Sequence, residues 1–152
     1  DDDPVVTFLM VDLVESVNLP YVVYESAVSF LEQDLDGLQG CIVSDLRMPG
    51  MSGLELQDTL HRRGVNLPII FISAFAEVQT VVRAMRGGAL DFFQKPFSSQ
   101  HLIERIQDGL RIDRERAELR RDAADRPGRL VASVHDDDGH PLGLHRPHLV
   151  GQ

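Results

Sequence analysis

Three residues stand where an apolar run ends and could act together. Asp45 follows Cys41-Ile-Val-Ser44, Ser73 closes Ile69-Ile-Phe-Ile-Ser73, and Lys95 comes soon after Phe92-Phe93. An aspartate at the end of a buried strand is a nucleophile toward phosphorus once a divalent cation shields the repulsion between carboxylate and phosphate. The cation needs hard oxygen ligands, and Mg2+ takes carboxylates and a backbone carbonyl, with water completing an octahedron. The acyl phosphate formed then needs a cation for its oxygens and a hydroxyl that can move to them. The sequence supplies each part: Asp1 and Asp2 as metal carboxylates, Asp45 as acceptor, Ser73 as hydroxyl and Lys95 as counter-charge. Taken singly, each has a plainer reading. Asp45 is then a strand-to-turn aspartate, Ser73 makes a local hydrogen bond, Lys95 is a surface lysine, and the acidic run is a frayed terminus. Their order and shared placement at strand ends argue for chemistry.

The elements that must position these residues alternate along the chain. Helical apolar spacing covers residues 4–17, with Pro4 in the first turn, where its missing N–H costs nothing. A short strand follows at 21–24 and a helix at 27–33. Residues 41–44 form an apolar run that reads as a buried strand. Ser52-Gly-Leu-Glu55 opens the next helix as a capping box, and that helix runs to about residue 63. The strand at 69–73 is entered through Pro68. A helix over 77–86 stops at Gly87-Gly88, and Phe92-Phe93 is a short strand. The last helix starts near Ser98 and continues into the charged stretch 111–121. Strands alternating with helices imply an α/β fold with a parallel sheet covered on both faces, whose chemistry lies at the carboxyl ends of the strands.

The segment Cys41-Ile-Val-Ser-Asp-Leu-Arg-Met-Pro-Gly-Met-Ser-Gly-Leu-Glu-Leu56 resembles the acceptor segment of response-regulator receiver domains. It is most similar to the FixJ-like group, whose members pair a receiver with a helix-turn-helix transcription domain. Leu67-Pro-Ile-Ile-Phe-Ile-Ser73 and Gly88-Ala-Leu-Asp-Phe-Phe-Gln-Lys-Pro-Phe97 resemble the two later receiver motifs, and Asp1-Asp-Asp-Pro4 the acidic cluster that follows the family's first strand. The resemblance covers roughly residues 1–110, and four motifs in order make it specific.

It implies a flavodoxin-like receiver fold, a doubly wound parallel five-stranded sheet of order 2-1-3-4-5. It also implies phosphorylation of Asp45 by a histidine kinase, and Mg2+ held by Asp1, Asp2, Asp45 and the backbone carbonyl of Arg47. Ser73 and Lys95 would contact the phosphoryl group, and Phe92 would be the aromatic that swings inward as Ser73 moves. The Lys95–Pro96 peptide is cis in the family. The face made by the helix over 77–86, the strand at 92–93 and the last helix would change its partner affinity, a homodimer being one such contact. The protein would be a switch rather than an enzyme, and cytoplasmic.

The sequence departs from this pattern in three places. No strand precedes Asp1, so the expected sheet has a gap in its middle with unpaired backbone on both neighbours. The expected organisation is a receiver over 1–110 lacking its first strand, a charged helical extension or connector over 111–125, and a tail over 126–152. Within the tail, residues 129–134 read as a short strand followed by His135 and Asp136–Asp138, which is what the missing start should look like. Residues 130–134 are therefore a candidate for the central slot, in cis like a circular permutation or from a second chain; the alternative is a disordered tail rich in Pro and Gly. His135, His140, His145 and His148 could bind zinc or nickel, but their spacing matches no closed site. Finally, Ala74-Phe75-Ala76 stands where FixJ-like proteins usually carry Gly-His-Gly, so Phe75 is expected to shield the acyl phosphate from water.

Composition agrees with one soluble globular domain: 152 residues, 43% hydrophobic and 26% charged. No apolar run approaches membrane-spanning length, and the single cysteine, Cys41, excludes an intramolecular disulfide and reads as a small buried hydrophobe. A net charge of −9 argues against direct nucleic-acid binding by this chain. Two competing functions remain. An aspartyl-nucleophile phosphohydrolase normally needs a second carboxylate two residues beyond the nucleophile, where this chain has Arg47. A degenerate or fragmentary receiver used only for protein–protein contact is the other.

Overall fold

The computed structural model describes residues 15, 17–48, 50–120 and 129–133, the side chains of 120 and 129–133 excepted. The helix expected over 4–17 and the aspartates at 1–3 and 136–138 fall almost wholly or wholly outside them. In chain order the elements are β1 (Tyr21–Tyr24), α1 (Ala27–Leu31), β2 (Gly40–Asp45), α2 (Gly53–Arg62), β3 (Ile69–Ser73), α3 (Val78–Arg86), β4 (Asp91–Gln94), α4 (Ser99–Arg120) and β5 (Arg129–Ser133).

The apolar runs form strands because both faces of the sheet are covered, and alternate side chains enter opposite cores. Cys41, Val43, Ile70, Ile72 and Phe93 point to the α4 side, where they meet Leu102, Ile103, Ile106 and Leu110. Ile42, Ile69 and Phe71 point the other way, to Phe30, Leu56, Leu60 and Ala84 from α1, α2 and α3. Each such fully buried aliphatic or aromatic side chain stabilises the fold by about 1.5–3 kcal/mol. Burial pushes the Cys41 thiol up to about 12, with Asp113 adding to the effect, so Cys41 behaves as the small hydrophobe its sequence context suggests.

Helix ends follow the local chemistry. Ser26 caps α1, and Ser52 caps α2 by accepting from the Glu55 N–H while Glu55 reaches back to the Ser52 N–H. Helix α3 has no side-chain cap and ends at Gly87. Gly109 lets α4 lie close to β2, since a Cβ there would fall 2.7 Å from Cys41 Sγ.

All strand pairs are parallel, and the spatial order is β1-β5-β2-β3-β4. The segment with the weakest sequence signal thus occupies an interior position between β1 and β2. Leu130 lies opposite Tyr21 on one side and Cys41 on the other, and Ser133 opposite Tyr24 and Ser44. The order equals 2-1-3-4-5 with the last strand of this chain in the first strand's place, and it supplies the strand anticipated at 130–134.

Candidate functional site

Three neighbouring strands, β2, β3 and β4, deliver the three residues singled out from sequence to one end of the sheet. Asp45 is the last residue of β2, Ser73 the last of β3, and Lys95 follows Gln94 at the end of β4. Parallel strands put these ends on the same side, beside the N-terminus of α2. The Lys95 N–H donates to the Ser73 carbonyl at 3.0 Å, which locks the two strand ends together. The Lys95–Pro96 peptide is cis.

The Lys95 Nζ lies 3.8 Å from Asp45 Oδ2. Both groups are largely out of solvent, the Asp45 side chain being 4% exposed and that of Lys95 12%. The other carboxylate oxygen, Oδ1, accepts from the Arg47 N–H at 3.1 Å, which shapes the loop after β2. Ser73 is buried, and its hydroxyl donates to the Phe75 carbonyl at 2.9 Å while accepting from the Phe75 N–H at 3.2 Å. Phe92 is half-buried and packs against the core on the α1–α2–α3 side, whereas Phe93 enters the α4 side. Glu55 at the start of α2 has its carboxyl held below the usual value, first by the Ser52 N–H and then by the Ser52 side chain.

Of the hard-oxygen groups expected to serve a metal, the described residues include the Asp45 carboxylate and the carbonyl of Arg47. Among the described residues no three His, Cys, Asp or Glu side chains cluster to hold an ion, and Asp1 and Asp2, the expected further carboxylates, lie outside them. The second acidic run follows β5 in the chain after Val134 and His135 and also lies outside them.

Two features of the site are not apparent in the sequence. Gly53 brings α2 against the end of β2, its N–H donating to the Leu46 carbonyl at 3.0 Å. The Arg47 guanidinium also stacks over the Phe75 ring, 5.1 Å from its centroid. Both Arg47 and Phe75 lie two residues beyond a site side chain. That spacing is visible in the chain, but not that the two loops face each other.

The sequence matches the response regulator receiver domain over residues 1–107, a stretch that ends before β5. It is 41% identical over 118 residues to the transcriptional regulatory protein TdiR of Thauera aromatica, covering 78% of this chain and 52% of that protein. It is 36% identical over 134 residues to the transcriptional regulatory protein FixJ of Azorhizobium caulinodans, covering 88% of this chain and 63% of that one. The crystal structure of FixJ-N superposes with a TM-score of 0.66 at 35% identity, over 73% of this chain and 89% of that one. The chain thus spans little more than half the length of the curated relatives it matches.

Proposed function

This chain belongs to the response-regulator receiver domains of two-component systems, and from that premise we propose that it is a phosphorylation switch whose acceptor is Asp45. The observation that carries the reading is the approach of Lys95 Nζ to Asp45 Oδ2 across the strand that ends in Ser73. A carboxylate, a cation and a hydroxyl from three adjacent strand ends match what an acyl phosphate needs for its formation and its recognition.

In the proposed step a histidine kinase presents a phosphoryl group. An Asp45 oxygen bonds to phosphorus as the bond to the donor breaks. Lys95 then neutralises part of the new negative charge, and the Ser73 hydroxyl turns from the Phe75 carbonyl to a phosphoryl oxygen. Phe92 follows into the space Ser73 leaves. Asp45, the Arg47 carbonyl, Asp1 and Asp2 are the residues that would hold Mg2+, which when bound shields charge between carboxylate and phosphate. The response is a two-state equilibrium biased by a local change of charge.

Partner contact through α3, β4 and α4, including a homodimer, is supported by Val78, Val82 and Met85, exposed at i, i+4 and i+7 on α3. A linked transcriptional output domain is supported by the relatives, and a cytoplasmic setting by the kinase partnership. No helix among the described residues is long and apolar enough to cross a membrane. Arg47, in place of a second carboxylate, disfavours an aspartyl phosphohydrolase.

Incubation with Mg2+ and acetyl phosphate, followed by intact mass, tests the reading. Gain of one phosphoryl group by the wild type and none by Asp45→Asn is the expected result. A folded wild type that gains nothing would instead assign this chain to protein–protein contact alone.

A further inference from the structure

At the end of the sheet opposite Asp45, Ile69 begins the strand that Ser73 ends. There the second half of α2, the turn after α3 and the outer part of α4 border a cavity of about 260 Å3. Its inner wall is apolar, since Leu60, Leu67, Ile69 and Ala89 are all buried. Its polar side chains include His61 and Asn66, both exposed, and Arg116, half-buried. No Asp or Glu among the described residues lines it, although the chain carries a net charge of −9. Arg116 Nη1 donates to the Asn66 carbonyl at 3.4 Å and to Asn66 Oδ1 at 3.3 Å. Among the described residues its Nε and Nη2 meet no acceptor, and it forms no ion pair. The His61 imidazole likewise has no hydrogen-bond partner among them. A Cβ at Gly88 would meet His61 Nε2 at 3.9 Å, so the glycine leaves the space beside the imidazole open.

We propose that this cavity binds a small organic carboxylate, with Arg116 and His61 as donors and the apolar wall around the ligand's body. The Nε–Nη2 edge of a guanidinium carries two parallel N–H donors that match both oxygens of a carboxylate. An imidazole adds an N–H whether it is neutral or charged. The volume falls just under that of drug-sized pockets, about 300–1,000 Å3, so the ligand that fits is a fragment with one short apolar body. A bare inorganic anion would leave Leu60, Leu67 and Ile69 facing water and gain nothing from them. An occupant joins α2 to α4 beyond residue 110, where the charged extension begins. The proposal does not rest on phosphorylation of Asp45.

The test is a titration of the full chain with benzoate, read by amide chemical shifts. Saturable shifts at Asn66, Gly87 and Gly88 are expected, with the amides of Asp45 and Lys95 unmoved. Benzoate should also raise Tm as its concentration rises, because it binds only the folded form. Arg116→Ala should weaken binding about 10–100-fold, the loss expected when hydrogen bonds to a charged group are removed. Neutral benzamide should bind the wild type more weakly than benzoate by a similar factor. Absence of saturable shifts would overturn the proposal, as would equal binding of benzamide. So would full benzoate affinity in an Arg116→Ala variant whose ligand-free amide spectrum and Tm match the wild type. The same shifts with inorganic phosphate would mark screening of charge and overturn it too. Each of these outcomes leaves the reading of Asp45 untouched, since uptake of a phosphoryl group is measured separately.

Discussion

Gly53 decides how near α2 can come to Asp45, the proposed acceptor. A Cβ at this position would lie 2.6 Å from the main-chain oxygen of Asp45 and 2.9 Å from Phe71 Cε1. Neither neighbour is the free end of a flexible side chain: one is strand backbone, the other a fully buried ring. Gly53→Ala gains a little helix propensity, up to about 1 kcal/mol, but must push α2 off β2. Overpacking of this kind costs about 1–3 kcal/mol. The expected outcome is a lower urea midpoint at unchanged slope, with slower phosphoryl uptake because the loop from Leu46 to Ser52 moves with the helix. An unchanged midpoint would show that α2 slides freely. The capping box that starts this helix, Ser52 with Glu55, is legible from two residue types at the right spacing. The need for glycine between them is not, because it depends on how far away β2 lies.

Among the elements, α4 shows how charge patterning misleads when tertiary partners are left out. Glu104 and Asp108 are a like-charge pair at i,i+4, which by itself opposes the helix. In the structure Asp108 sits between Arg105 at 2.9 Å and Arg111 at 3.0 Å, each three residues away. Glu104 accepts from Gln100 Nε2 at 3.1 Å. Arg105 is held in place from outside the helix by Asp91 at 2.9 Å and by the Leu90 carbonyl at 3.0 Å. Arg111 first and Arg105 second keep the Asp108 carboxyl below its ordinary value of 3.8. A carboxyl depressed in the folded state adds stability above its unfolded pKa and loses it as pH falls through the folded one. The difference in Tm between wild type and Asp108→Asn should therefore be constant at neutral pH. It should shrink as pH drops below the ordinary value of 3.8. A difference that persists undiminished into strong acid would show that the carboxylate is not what Arg105 and Arg111 stabilise. Helix α4 was legible in its apolar spacing at Ile103, Ile106 and Leu110; the pair of Arg105 with Asp91 was not, since Asp91 reaches it from β4.

For the whole molecule the question is what holds the sheet together across its middle. Strand β5 pairs with β1 and with β2 at once, so without it Tyr21–Tyr24 and Gly40–Asp45 would face each other across an empty slot. The sequence hint was an apolar run of a few residues ahead of Asp136, a signal that cannot distinguish a central strand from a tail because periodicity over so short a stretch is ambiguous. Its place is decided instead by the need of two neighbouring strands to satisfy their backbone groups. Each buried N–H or C=O left without a partner costs about 1–3 kcal/mol. Several together exceed the whole stability of an ordinary domain, about 5–15 kcal/mol. Deleting residues 126–152, which leaves α4 intact to Arg120, should abolish cooperative thermal unfolding. A synthetic peptide of residues 126–138 should restore it in trans, with a midpoint that rises with peptide concentration because the peptide binds only the folded form. A truncated chain that melts at the wild-type midpoint would show that the slot does not need β5. Restored melting with a concentration-dependent midpoint would establish that Asp45, the proposed acceptor, is carried by a sheet with an interior strand from the far end of the chain.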